Sequence, residues 1–192
     1  KKKASRNYKT EKAVLVKGEE LPKFELGVIH GYMKIPELKK VSHEIGVTIN
    51  QYLVGMFIWS IYKDYLNGTC SDSPISCCVP VNLRPYYDSI TTKNFFAVVS
   101  AVFKPTKEEY TCHEVIRIVA DSLKEQTTKE NLDHILSYNV SNEKKWILRV
   151  VPLFVKNAVM KQIYRTSARA NTTTLTNVGN ITIGEAYEAY IE

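Results

Sequence analysis

The side chains able to bind or react are few and scattered. Arg84 follows an apolar run ending Val79-Pro80-Val81-Asn82 and is stiffened by Pro85. A guanidinium at the end of a buried strand offers a planar fork to a carboxylate, phosphate or carbonyl. The plainer reading is an internal ion pair that ties its own loop to the sheet. Asn94 heads the run to Phe103, and Asn177 and Asn180 flank Gly179. An Asn at a strand end commonly satisfies loop backbone groups. Gly179 supplies a positive φ or a close backbone approach. His43 and His113 sit beside charged neighbours on helical stretches, and His134 reads the same way, as solvated or structural imidazoles. His30, in a strand-like run between Ile29 and Gly31, is the only one of the four worth weighing as a ligand contact, with a structural role the plainer reading.

These residues form no self-contained catalytic set. There is no G-x-S-x-G elbow, H-E-x-x-H helix, acid-rich metal loop, P-loop or G-x-G-x-x-G turn. Cys70, Cys77, Cys78 and Cys112 include no C-x-x-C pair and no zinc spacing. Cys77 and Cys78 are neighbours in a strand-like run, so they point to opposite faces and do not pair. Free buried thiols fit a reducing compartment, and the expectation is a cytoplasmic protein. The sequons at Asn67, Asn139, Asn171 and Asn180 carry no weight there.

Composition narrows the class. With 192 residues and 44% apolar side chains, the chain can bury a core without disulfide or metal staples. Residues 1–23 hold eight basic and three acidic residues, and the rest holds eighteen basic and seventeen acidic. The positive charge therefore concentrates in an arm, which argues against a nucleic-acid binder with a basic stripe on its folded body. No secretory apolar region follows Lys1–Lys3, and the longest apolar stretch, Val54–Tyr62, is too short to span a bilayer. No transmembrane segment is expected. The chain opens on Lys rather than Met, like a piece cut at a linker. The expected division is a basic entry segment or linker over 1–23, extended or poorly ordered and closed by Leu21-Pro22, and a domain over 24–192.

Patterning supplies the elements. Phe24–Met33 reads as a strand. Pro36 and Glu37 open a helix with Leu38, Val41 and Ile45 on one face, closed by Gly46. Thr48 caps a second helix to about Leu66, apolar nearly all round through Leu53–Tyr62 and so expected to be buried on every side. Pro74–Asn82 and Asn94–Phe103 read as strands, separated by a polar loop. A helix covers about Thr111–Gln126, with a shorter helix or loop over Lys129–Tyr138. Ser141 starts a further helical region that Pro152 divides into about 142–150 and 152–165. The run from Thr172 to Gly184 reads as two strand pieces meeting at Asn177–Asn180. The fold class is α/β (α+β): a two-layer sandwich with a mixed β-sheet flanked by helices.

In this order the segments resemble a known group. GVTINQYLVGMFIWSIY is similar to the T-x-N-x-x-L-x-A helix in the C-terminal half of the CoA-dependent acyltransferases, the chloramphenicol acetyltransferase and condensation-domain superfamily. ISCCVPVNLRP resembles the next strand and its Arg-containing loop, and KNFFAVVSAVF the strand after that. TTTLTNVGNI resembles the S-N-x-G turn of alcohol acetyltransferases and wax-ester-synthase relatives. Together these motifs cover about residues 24–184.

The family's H-H-x-x-x-D signature, which sits in the N-terminal half and supplies the general base, occurs nowhere here. The resemblance therefore implies the C-terminal half of an acyltransferase moving an acyl group from CoA or a carrier thioester to an alcohol or amine. Its partner would be the missing N-terminal half. It implies that Arg84 and Asn94 lie near the channel between the halves, and that Thr176-Asn177 faces the missing catalytic loop. Thr174, Thr176 and Asn177 can donate to an oxyanion or orient a substrate, and none can serve as the base. No catalytic residue, metal ligand or redox cofactor is expected in this chain; acyl-CoA enters as co-substrate. The isolated chain is expected to be inactive. The alternatives are a non-catalytic condensation-like module that docks a carrier domain or peptide, and a homodimer through the orphaned interface.

Overall fold

The computed structural model describes residues 11–19, 21–143 and 151–179. Among them five α-helices and a three-stranded mixed sheet form an α+β arrangement, as the patterning requires.

Helix α1 spans Ile35–Ile45, with Pro36 in its first turn and Gly46 closing it at φ +80°. Helix α2 spans Ile49–Ser60 and begins in a complete capping box: Thr48 accepts from the Gln51 amide, and Gln51 accepts from the Thr48 amide. It continues as a π-turn over Ile61–Tyr65 and unwinds at Asn67 and Gly68, both at positive φ. Strands β1 (Ile75–Asn82) and β2 (Phe96–Phe103) pair antiparallel, with Cys78 opposite Ser100 and Asn82 opposite Phe96. Helix α3 spans Cys112–Gln126 and has its own capping box, Thr111 with Glu114. Helices α4 (Lys129–Glu143) and α5 (Leu153–Ala168) follow. Strand β3, Thr173–Thr174, pairs parallel with β1 on the side away from β2.

The strands sort their side chains by face, as period-two geometry demands. Ile75, Cys77 and Val79 of β1 and Ala97, Val99, Ala101 and Phe103 of β2 are buried beneath α2 and α3. Val54, Ile58 and Tyr62 meet them from α2, Val115, Val119 and Leu123 from α3, and Leu132 and Ile135 from α4. Tyr62, Phe103 and Tyr110 form an edge-to-face triad with centroids 5.0–5.8 Å apart. The other face carries Cys78, Phe96, Val98 and Val102, partly or wholly open to solvent. As expected, Cys77 and Cys78 point to opposite faces and all four thiols are free, but only Cys77 is buried, and Cys70 is exposed.

Four expectations are corrected. Phe24–Met33 is not a strand: it runs along the surface with every residue exposed, and Ile29 is fully open. It pairs with no strand among the described residues, and the outer edge of β2 is capped by side chains of α3. Gln126 accepts from the Ser100 amide and donates to the Ser100 carbonyl, and Ser122 accepts from the Val102 amide. Residues 11–17, read as extended or poorly ordered, form no helix or strand, and the poorly ordered alternative fails because they are docked. Ala13 donates to the Arg169 carbonyl and Val14 to that of Pro74, and Tyr65 clamps Leu15 and Lys17. Helix α4 passes unbroken through Ser141, so no new helix starts there; the proposed segment 142–150 lies largely outside the described residues. Finally, α2 is not buried all round: Ile58 is fully buried and Trp59 partly so, but Phe57 is 47% exposed. The second strand piece of the C-terminal run, past Gly179, also lies outside the described residues.

No single helix among the described residues is long and apolar enough to cross a membrane.

Candidate functional site

The parallel register of β3 on β1 carries the chain toward the end of the sheet where β1 stops at Asn82 and β2 begins at Phe96. Leu175 makes the last tie, donating to the Cys78 carbonyl at 3.0 Å. Beyond it the backbone leaves the sheet. Asn177 Oδ1 accepts from the Gly179 amide at 2.9 Å, and Gly179 takes φ +78°. This Asx turn explains both residues locally: Asn holds the bend and Gly permits it.

The turn faces α2 across a groove of about 410 Å³. Leu53, Met56, Phe57 and Ser60 of α2 line one side, and Leu175, Thr176, Asn177 and Val178 the other. Its walls are mostly apolar, with three polar side chains, Ser60, Thr176 and Asn177. None of the lining residues has a side chain that titrates near neutrality. The half-exposed Phe57 is the α2 residue that this groove uncovers.

The five residues expected at the site separate. Thr176 and Asn177 share the groove. Thr174 belongs to another depression, about 310 Å³, with Tyr164, Ser167 and Asn171. Burial raises the pKa of the Cys78 thiol, and Thr174 offsets part of that rise. Arg84 and Asn94 lie at the same sheet end as the turn but line neither cavity. The Arg84 guanidinium donates to the carbonyls of Thr91 (3.2 Å) and Lys93 (3.0 Å), and its amide donates to Asn82 Oδ1. The plainer reading of Arg84 therefore describes it, with carbonyls in place of the expected acid. Asn94 is exposed two residues before β2.

Sequence reasoning missed two features. The α2 wall was hidden inside an apparently uniform apolar run; Ser60, one polar residue in that run, was its signal. The second is a polar seam on the outer sheet face. Ser76, 2% exposed, and Ser100 both donate to Asn171 Oδ1 at 3.2 Å, and the Thr172 hydroxyl accepts from the Ser76 amide. This seam fixes β3 on β1. On α2, Asn50 Oδ1 and the Trp59 indole N–H are buried without a hydrogen-bond partner among the described residues.

His30 is exposed on the surface segment, and His113 and His134 are exposed on helices. His43 borders an open groove with Arg117, Asp121 and Lys124. Among the described residues no cluster of His, Cys, Asp and Glu has the geometry to hold a metal.

No protein-family model matches the chain, and comparison with curated proteins and solved structures gives no match.

Proposed function

We propose that this chain is one wall of an acyl-transfer site, the C-terminal half of a chloramphenicol acetyltransferase-like or condensation-like enzyme. It would move an acyl group from CoA or a carrier thioester to an alcohol or amine. The observation that carries the reading is the groove between α2 and the Thr176–Asn177 turn. An acyl-transfer site needs an apolar channel, donors for the developing oxyanion and a base. The groove supplies the first two kinds of group and not the third. That is the content expected of a half whose base, the second His of H-H-x-x-x-D, belongs to a partner. In this scheme Thr176 and Asn177 orient the thioester carbonyl or steady its oxyanion, and the apolar wall of α2 excludes water. Arg84 acts indirectly, by fixing the loop at the channel end.

The surface supports a missing partner. Phe24–Met33 exposes Phe24, Leu26, Ile29 and Tyr32, and the outer sheet face exposes Phe96 and Val98. Exposed large apolar side chains of this kind are candidates for an interaction surface. A thiol-release assay with acetyl-CoA and short alcohols tests the reading. The chain alone should give no turnover above background, and mixing it with the upstream H-H-x-x-x-D half should restore turnover. Activity from the chain alone, abolished by a substitution within it, would overturn the half-site reading.

A further inference from the structure

Helix α2 is covered along its length except at one point. From Ile49 to Ser60 every residue is buried or half-buried apart from Phe57, which is 47% exposed. Its neighbours are held: Ile58 is fully buried, and Met56 Sδ lies 3.4 Å from Cys112 Sγ of α3. The Phe57 ring joins none of the edge-to-face pairs among the described residues. A single exposed aromatic needs no explanation by itself. This one stands in the wall of the groove, one helical turn from Leu53 and from Ser60, with Leu175 and Val178 on the other side.

Three properties of the groove limit what can lie on that ring. None of its eight lining side chains is ionisable, so nothing there compensates a charge taken out of water. Its polar side chains, Ser60, Thr176 and Asn177, are hydroxyls and an amide, which suit a neutral oxygen function. Its volume of about 410 Å³ falls within the roughly 300–1,000 Å³ of sites for small organic molecules. That is far more than a two-carbon acyl group fills. A chain of several methylenes with one neutral polar end matches all three.

We propose that Phe57 is the specificity-determining residue of this groove, the surface on which an uncharged hydrocarbon chain lies with its polar end at Thr176 and Asn177. The origin of the chain, on the acyl donor or on the acceptor alcohol, rests on the acyl-transfer reading. The fit of the chain to the groove rests on the lining alone.

Amide NMR titrations of the chain with 1-butanol, 1-hexanol and 1-octanol are the test. Shifts should centre on Leu53–Ser60 and Leu175–Gly179. Affinity should rise by up to about fourfold per methylene, the equivalent of about 0.8 kcal/mol for a buried methylene. Octanoate should bind more weakly than 1-octanol, because the groove offers its carboxylate no counter-charge. The S-octanoyl thioester of N-acetylcysteamine, also neutral, distinguishes the donor's chain from the acceptor's by which of the two binds more tightly. Phe57→Ala should weaken 1-octanol about fivefold, roughly half the effect of burying a whole aromatic side chain, and 1-butanol less, with a cooperative melting transition retained. Val178→Asp, on the exposed turn, places a charge in the groove and should abolish alkanol binding without loss of fold. Shifts centred elsewhere, affinity that ignores chain length, octanoate binding as tightly as 1-octanol, or either variant binding 1-octanol like the parent overturns the assignment. These readouts need no turnover. Chain-length-dependent binding, with no activity from the mixture with the H-H-x-x-x-D half, would sink acyl transfer and leave the groove assignment standing. Turnover indifferent to chain length and to Phe57 would do the reverse.

Discussion

Gly55 of α2 faces Ile116 of α3 so closely that a Cβ on Gly55 would sit 2.9 Å from the Ile116 Cα. The two helices that roof the core therefore cross at backbone contact, and the glycine is what allows it. Gly55→Ala gains up to about 1 kcal/mol of helix propensity, but it forces α2 and α3 apart against a packed sheet, costing typically about 1–3 kcal/mol. The net expectation is destabilisation, read as a lower urea midpoint. An unchanged or higher midpoint would show that the crossing relaxes freely.

The Asx turn should separate function from folding. Asn177→Ala removes one exposed hydrogen bond, so it should cost at most about 1 kcal/mol in stability. Under the proposed acyl-transfer function, in a mixture with an H-H-x-x-x-D half that restores turnover, it should lower kcat well beyond what that loss of folded protein explains. A variant as active as the parent would remove Asn177 from the transfer step.

Arg84 is a loop clamp, and its loss should be local. Arg84→Gln should speed amide hydrogen exchange across residues 85–93 and leave α2, α3 and the strands protected as before. If exchange were unchanged there, the two carbonyl contacts would not restrain the loop.

The thiols should fall into order by burial. Burial pushes the Cys77 thiol up to about 11 and also raises Cys112, while Cys70 is exposed. Alkylation followed by peptide mass spectrometry should label Cys70 first and Cys77 only on unfolding, because the thiolate is the reacting form. Early labelling of Cys77 would mean that the α2–sheet contact opens in the native state.

Glu114 predicts an acid limit to α3. Lys107 at 2.7 Å, then the amide and hydroxyl of Thr111, lower its carboxyl from 4.5 to about 2. A depressed folded pKa contributes stability that is present above pH 4.5 and lost as pH falls toward 2. Glu114→Gln should therefore lower the melting temperature at neutral pH and flatten its decline across that interval. A variant that kept the parent's slope would assign the acid sensitivity to other carboxylates.

The elements legible in the sequence are those whose signals are local. Thr48 with Gln51, Thr111 with Glu114 and the Gly46 cap set helix ends through hydrogen bonds within a few residues, and Pro36 sets one through its fixed φ. Alternation in Ile75–Asn82 and Phe96–Phe103 assigned Cys77 and Cys78 to opposite faces before any partner strand was known. The Gly179 turn was legible for the same reason.

What only the tertiary structure decided depends on partners distant in sequence. Phe24–Met33 has the alternation of a strand, yet a strand exists only where an edge receives it, and Gln126 and Ser122 occupy the edge of β2. The buried and open sides of α2 are equally apolar; the sheet and α3 cover one, and the turn at Thr176–Val178 leaves the other as a groove. Arg84 could have faced a ligand or its own loop, and the carbonyls of Thr91 and Lys93 settle its position. Local propensity fixes where a segment bends and which face is apolar. Which apolar faces meet each other, and which are left to meet something else, is fixed by long-range packing that no short window of sequence contains.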